Sequence, residues 1–128
     1  MGASTIFVAA FSTAALLVSS SVVAQTNPYN GNWHAAFKNN KGIDRDGTVV
    51  IANDAGSWDM NTQNRNNPCM GRKFPIVVQT ASADELTFLV NGSKALAGCP
   101  DTPITFKPVD PTTLKGTANE TEFTLTRK

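Results

Sequence analysis

The sequence has few of the residues from which metal centres and nucleophilic active sites are usually built. Its 128 residues include one histidine, His34, and two cysteines, Cys69 and Cys99. A structural zinc site takes four Cys or His ligands, so the chain has too few of them for zinc. No Ser, Cys or second His is arranged with His34 so as to make it a general base. The composition therefore predicts a protein without a metal, a cofactor or a catalytic residue.

The segment Asp44-Arg45-Asp46-Gly47 resembles part of a calcium-binding loop but lacks the terminal ligands of one. In such a loop the first ligand position would fall on Gly42 and the twelfth on Asn53, where a carboxylate is required. We therefore expect an Asp-Gly turn at this place, at the end of a polar loop over residues 39–47.

An excess of charge of either sign is also missing. Eleven basic and ten acidic residues leave a formal net charge of +1. A balance of this kind creates no global field that would attract nucleic acid or an anionic membrane surface. We expect no nucleic-acid partner, and any partner must be recognised by local shape and chemistry.

Long apolar runs are absent except near the start of the chain. The stretch from Ile6 to Val18 is uncharged and predominantly apolar, but it is shorter than the roughly 20 residues that a membrane-spanning helix needs. Small residues follow at Val22 and Ala24, which predicts a signal peptide over residues 1–24, cleaved before Gln25. We expect residues 25–128 to form a single domain in the periplasm or outside the cell, without stable membrane insertion after cleavage.

No amphipathic helix is visible in residues 25–128, where apolar and polar residues alternate with a period of two. In the first such stretch Trp33, Ala35 and Phe37 share one face. One helical turn is expected near residues 94–96. The predicted strands lie at residues 31–38, 48–52, 57–61, 74–80, 85–91, 104–107, 114–118 and 122–127.

Short turns between about eight short strands indicate a compact antiparallel meander. Such a meander closes most readily as a small barrel or a flattened sandwich, because closure removes exposed strand edges. We therefore predict an all-β monomer with at most one short helical turn and one disulfide.

The two cysteines are expected to form that disulfide, since export leads to an oxidising compartment. Cys69 lies at the end of a polar loop over residues 62–73, which is longer than a connection between neighbouring strands requires. Long ordered loops on rigid barrels often carry binding groups. The candidate binding residues of this loop, which could hold a carboxylate or a sugar, are Asn64, Arg65, Asn67, Arg72 and Lys73.

Gly31-Asn32-Trp33 at the head of the first strand, together with Arg127 on the last, resembles the signature of the calycin barrels, the lipocalins and avidins. The resemblance implies that Trp33 closes one end of a barrel and that Arg127 packs across it. The order Pro68-Cys69-Met70-Gly71-Arg72, two apolar strands and Gly98-Cys99-Pro100-Asp101 is similar to small exported bacterial proteins of uncharacterised function.

We therefore predict a non-enzymatic binding protein that holds a small ligand in the barrel mouth or a protein partner with its disulfide-anchored loop. Trp33 and Trp58 are the candidate binding residues beside the mouth. An inhibitor of a secreted hydrolase such as lysozyme is the alternative, and a hydrolase that uses turn carboxylates is a weaker one. A pocket lined by Trp58, Met60 and other aromatic residues would favour a small ligand, whereas a solid core with a protruding loop would favour a protein.

Overall fold

Eight antiparallel strands close into a barrel in the computed structural model, which describes residues 2, 26–61 and 67–128. Each strand pairs with the next along the chain, and the last pairs with the first. The strands are β1 Gly31–Lys38, β2 Asp44–Ala52, β3 Ala55–Met60, β4 Lys73–Ala81, β5 Leu86–Asn91, β6 Asp101–Asp110, β7 Thr113–Ala118 and β8 Thr121–Arg127. A single helical turn, α1, spans Gly92–Ala95 between β5 and β6. The all-β prediction is confirmed, and of its two forms the closed barrel is the one observed.

The predicted polar loop over residues 39–47 is wrong in its second half, because β2 begins at Asp44. Gly47 is not a turn residue but a strand residue that faces the interior opposite Met60. A Cβ atom on Gly47 would lie 2.5 Å from the Met60 sulfur and 2.5 Å from the carbonyl oxygen of Asp59. The glycine is therefore required by the close approach of β3, which the local sequence does not reveal.

Strand β6 also exceeds its predicted range, since it includes Pro103 and Pro108. Proline cannot donate to the strand ladder and is tolerated mainly at strand ends and bulges. Pro103 lies near the start of the strand, and the register with β7 shifts between Pro108 and Asp110. Both prolines thus occupy places where a ladder hydrogen bond is dispensable.

The core fills the middle of the barrel with inward side chains from every strand. Its largest fully buried members are Trp33, Phe88, Phe106, Ile51, Ile76, Leu86, Leu114, Leu125 and Val49. Phe88 contacts Phe106 with ring centroids 5.4 Å apart. Such tilted aromatic pairs add to the stability that area burial supplies. At this level the barrel has a solid core.

The segment before β1 packs across one end of the barrel, which we call the closed end. Tyr29 is buried, and its hydroxyl donates a hydrogen bond to the carbonyl of Ser82 in the β4–β5 turn. Asn27 Nδ2 donates to the carbonyl of Asn53 in the β2–β3 turn at 2.8 Å. These two contacts fix the segment over the ends of four strands.

Trp33 and Arg127 complete the closed end. Trp33 is fully buried and donates its Nε1–H to the carbonyl of Tyr29 at 2.8 Å. The Arg127 guanidinium lies over the indole, with Cζ 4.3 Å from the ring centroid, and donates to the carbonyls of Asn30 and Pro28 at 2.8 and 3.0 Å. The Trp–Arg contact that the Gly-x-Trp resemblance implies is thus present.

Candidate functional site

The opposite end of the barrel, which we call the open end, contains a cavity of about 990 Å³. The connections at this end are the β1–β2, β3–β4 and β7–β8 loops and the segment that carries α1. Residues from all four of them line the cavity. The cavity continues the barrel interior outward from the solid core.

Aromatic and aliphatic side chains form the floor of the cavity. Phe37 and Phe123 contact each other with ring centroids 4.8 Å apart, and Phe123 contacts Trp58 at 5.1 Å in an edge-on arrangement. Phe74 and the aliphatic residues Val90 and Ile104 complete the floor. Phe37, Phe74 and Val90 are the last inward residues of their strands before the open end. Trp58, Phe123 and Ile104 lie one inward position deeper, next to the core. The floor therefore presents apolar groups to the cavity.

The disulfide between Cys69 and Cys99 forms part of the cavity wall. It joins the β3–β4 loop to the segment between α1 and β6 across a Cα–Cα distance of 5.6 Å. The predicted pairing is confirmed. In the loop, Asn67 Oδ1 accepts a hydrogen bond from the Cys69 backbone N–H at 3.0 Å, which fixes the turn that presents the cysteine.

The segment that carries Cys99, on the other side of the disulfide, is held in place by contacts of Asp101 and Gly92. The Asp101 carboxylate accepts hydrogen bonds from the backbone N–H and the hydroxyl of Ser93, at 2.9 and 3.0 Å. A Cβ atom on Gly92 would clash with the carbonyl oxygen of Pro100, so only glycine allows the segment to fold this tightly. The local contacts of α1 thus place Cys99 at the wall.

Two cationic side chains, Lys41 and Arg45, line the rim of the cavity. Arg45 lies directly opposite Phe37 in the β1–β2 register, and Phe37 lies opposite Phe123 in the β1–β8 register. Directly opposed residues of an antiparallel pair share one face, so Arg45 stands on the inward face of the barrel, just beyond the aromatic floor.

The β1–β2 loop that carries Lys41 is ordered by Asn39. The Asn39 Oδ1 atom accepts hydrogen bonds from the backbone N–H groups of Lys41 and Ile43, at 3.0 and 2.9 Å. Ile43 and Met70 also line the cavity and are exposed by 47% and 41%.

The candidate residues predicted from the sequence are separated by the structure. Trp58 and Asn67 line the cavity. Trp33 is buried at the closed end and does not line it, and Arg72 and Lys73 are exposed beside the cavity without lining it. The remaining two candidates, Asn64 and Arg65, lie outside the described residues.

Sequence inspection missed Arg45 and the aromatic residues Phe37, Phe74 and Phe123 as site residues. A signal for Arg45 exists, because Arg45, Gly47, Val49 and Ile51 are spaced by two. Because residues 44–47 were interpreted as a loop and turn, this two-residue spacing was not recognised as part of a strand.

A small polar cluster on the outer wall is distinct from the cavity. Asn61 Nδ2 donates to Asp46 Oδ1 at 3.0 Å, and His34 Nε2 lies 3.4 Å from Asp46 Oδ2. The Asn61 hydrogen bond, followed by that of His34, lowers the pKa of Asp46 below its ordinary value. The cluster is exposed to solvent, and none of its three residues lines the cavity at the open end.

Comparison with known proteins gives no family for this chain: no family model matches it, and no curated protein matches it. Among solved structures it is similar to a redesigned β-barrel, with a TM-score of 0.49 and 17% sequence identity. The match covers 79% of this chain and 92% of the other.

Proposed function

We propose that this chain is an exported, non-enzymatic binding protein that holds a small, largely apolar ligand in the cavity at the open end. The observation that carries the proposal is the aromatic floor of a cavity of about 990 Å³. Small-molecule sites typically measure about 300 to 1,000 Å³ and are lined mainly by apolar and aromatic groups with a few polar ones. Covering such a floor is favourable by about 25 cal/mol for each Å² of apolar surface removed from water.

The barrel supports this proposal through its rigidity. The solid core below and the disulfide at the wall fix the positions of the floor and of two connecting segments before any ligand arrives. A preformed site lowers the conformational entropy that binding would otherwise cost. Export agrees with the disulfide, because such bonds persist mainly in oxidising compartments. Among the described residues no helix is long and apolar enough to cross a bilayer.

The competing proposal is a protein partner, such as a secreted hydrolase, bound through the loop over residues 62–73. Within this loop the Arg72 side chain donates its Nε–H to the carbonyl of Pro68 at 2.6 Å, and the side chain stays exposed. Part of the loop lies outside the described residues, so its role as a binding surface stays a prediction. The cavity is favoured because Trp58 and other aromatic residues form its floor, which meets part of the criterion set from the sequence. Met60, which the criterion also named, is buried in the core and does not line the cavity.

The first prediction is that a neutral apolar dye, N-phenyl-1-naphthylamine, binds in the cavity and becomes fluorescent. The double variant Val90→Phe/Ala118→Phe places two larger side chains in the lining and should weaken dye binding at least about tenfold, because they occupy the space of the ligand. The matched control, Val77→Phe/Val109→Phe, adds the same side chain at two positions exposed by 43% and 60% and should bind as the unaltered protein does.

Thermal unfolding of both double variants shows whether each has kept its fold. If Val90→Phe/Ala118→Phe is unfolded, the single variant Ala118→Phe replaces it, because Ala118 is half-buried at the rim. The cavity proposal would be overturned if the dye did not fluoresce with the unaltered protein. It would also be overturned if the two double variants gave equal fluorescence. The loop and a protein partner would then be the proposal to test.

A further inference from the structure

The cavity is chemically asymmetric along the barrel axis. Its floor is apolar and aromatic, whereas its rim carries the amides of Asn39, Asn40, Asn67 and Asn119 and the cations Lys41 and Arg45. No Asp or Glu is among the described residues that line it. A ligand that fills this space therefore meets apolar groups at the floor. At the rim it meets amides and cations beside the apolar side chains of Ile43 and Met70, and no carboxylate among the described lining residues.

Two of the three described carboxylates near the rim form ion pairs with lysines of the outer wall. Asp44 pairs with Lys38 at 3.6 Å, and Glu122 pairs with Lys115 at 3.8 Å, both on the outer wall. Glu120 is exposed in the β7–β8 turn and lines a groove that adjoins the cavity. Arg45 lies between the two and lines both, with Glu120 on the groove side only. Within the described part of the chain, no carboxylate forms an ion pair with Lys41 or Arg45.

Of the two cations Lys41 and Arg45, Arg45 says more about the chemistry of the ligand. Its place opposite Phe37 puts a permanently charged guanidinium on the inward face, beyond the aromatic floor. A guanidinium presents parallel N–H donors that match the two oxygens of a carboxylate, and such charge-assisted pairs are stronger than neutral hydrogen bonds. Lys41, in a loop ordered by Asn39, adds a second positive charge at the same entrance.

We propose that the ligand is an amphipathic carboxylate, with an apolar chain or ring system against the aromatic floor and its anionic head at Arg45 and Lys41. This inference rests on the proposed function, since it assumes that the cavity is the binding site. The head group binds at the rim, where it keeps part of its hydration, and the apolar part supplies most of the affinity. The cavity thus selects anionic amphiphiles over neutral and cationic ones of the same length.

The second prediction uses three probes with the same apolar chain: decanoate, decanol and decyltrimethylammonium. Each is titrated below its critical micelle concentration against the protein loaded with N-phenyl-1-naphthylamine, and displacement of the neutral dye is measured. Decanoate should displace the dye at a concentration at least about tenfold lower than decanol, and the cation should be the weakest. Added salt should reduce this advantage, because the rim charges are exposed and are screened.

The variant Lys41→Gln/Arg45→Gln should weaken decanoate binding about tenfold and leave decanol binding unchanged. The matched control, Lys107→Gln/Lys115→Gln, removes the same charge from two facing positions on the outer wall and should leave both affinities as they are. Equal affinities for decanoate and decanol, or no effect of the rim variant, would overturn the charge selectivity while leaving the cavity proposal in place. Failure of all three probes to displace the dye would overturn the cavity proposal itself.

Discussion

At the scale of single residues, Tyr29 shows how the closed end is held. It is the one tyrosine of the chain, and its hydroxyl donates to the carbonyl of Ser82. Burial, with a smaller effect from Asp84 and Glu85, raises the pKa of Tyr29 above its ordinary value of 10.0. The neutral hydroxyl is therefore the form that the folded state favours.

The third prediction follows from that shift. Because the folded-state pKa is raised, the stability that neutral Tyr29 contributes is fully present below pH 10.0 and is lost as the pH rises through the folded-state value. The near-ultraviolet absorbance of tyrosinate reports this residue alone and should titrate with a midpoint above 10.0 in the folded protein.

Tyr29→Phe provides the comparison. At neutral pH it should be less stable by about 1 kcal/mol in denaturant unfolding, because the Ser82 carbonyl loses its donor. Its stability should also fall less steeply above pH 10.0, since the phenyl ring does not ionise. A tyrosinate midpoint that is the same in the folded and the denatured protein would contradict the closed-end contact.

Residue-scale contacts were also the least predictable part of the molecule. The pair Trp33 and Arg127 was expected from a resemblance. The hydrogen bond that orients Trp33 was not, because its acceptor is the carbonyl of Tyr29, in a segment that looks like an ordinary turn. The pairing of Asp101 with Ser93 joins residues that the sequence places in a loop without any marker. Such contacts depend on the three-dimensional approach of segments, which period and composition do not specify.

At the scale of elements, period-2 alternation located all eight strands, because every strand has one face in the core. It missed the start of β2, where the inward positions are Arg45 and Gly47 rather than large apolar residues. The same feature explains why the rim was missed. An inward position near a barrel opening can carry charge, so the alternation of apolar and polar residues that marks a core strand is lost where the cavity begins.

The disulfide is an element-scale feature whose energetic effect can be estimated. It links cysteines separated by 30 residues in the sequence. On the chain-entropy model, closing a loop of that size restrains the unfolded chain by about 3 to 4 kcal/mol. Since the bond also holds the β3–β4 loop against the segment after α1, its loss should act on the cavity wall as well.

The fourth prediction is that Cys69→Ala/Cys99→Ala lowers the free energy of unfolding by about 3 to 4 kcal/mol and weakens the binding of N-phenyl-1-naphthylamine. Denaturant unfolding and dye titration measure the two effects on the same preparation. The oxidised protein treated with a reductant serves as the control without substitutions. A free energy of unfolding that is unchanged in the double variant and in the reduced protein would show that the bond is not a main constraint on this fold.

At the scale of the whole molecule, the barrel is divided along its axis into a part that is filled and a part that is not. The closed end and the core hold Trp33, whereas the floor of the cavity holds Trp58. Barrels of eight strands have interiors just wide enough to be filled by side chains or to hold one small ligand. This chain combines a filled part and an open part in one interior. Under the proposed function, stability belongs to one end and recognition to the other.

The fifth prediction tests that division most directly, because the chain has two tryptophans and one lies in each part. In a nitrogen-15 correlation spectrum each indole N–H gives a separate signal, and Trp58→Phe identifies which signal belongs to Trp58. On titration with decanol, which carries no charge, the Trp58 signal should shift or broaden in a saturable manner while the Trp33 signal stays in place. A saturable shift of the Trp33 signal alone, or no shift of the Trp58 signal with decanol and with decanoate, would contradict ligand binding at the open end.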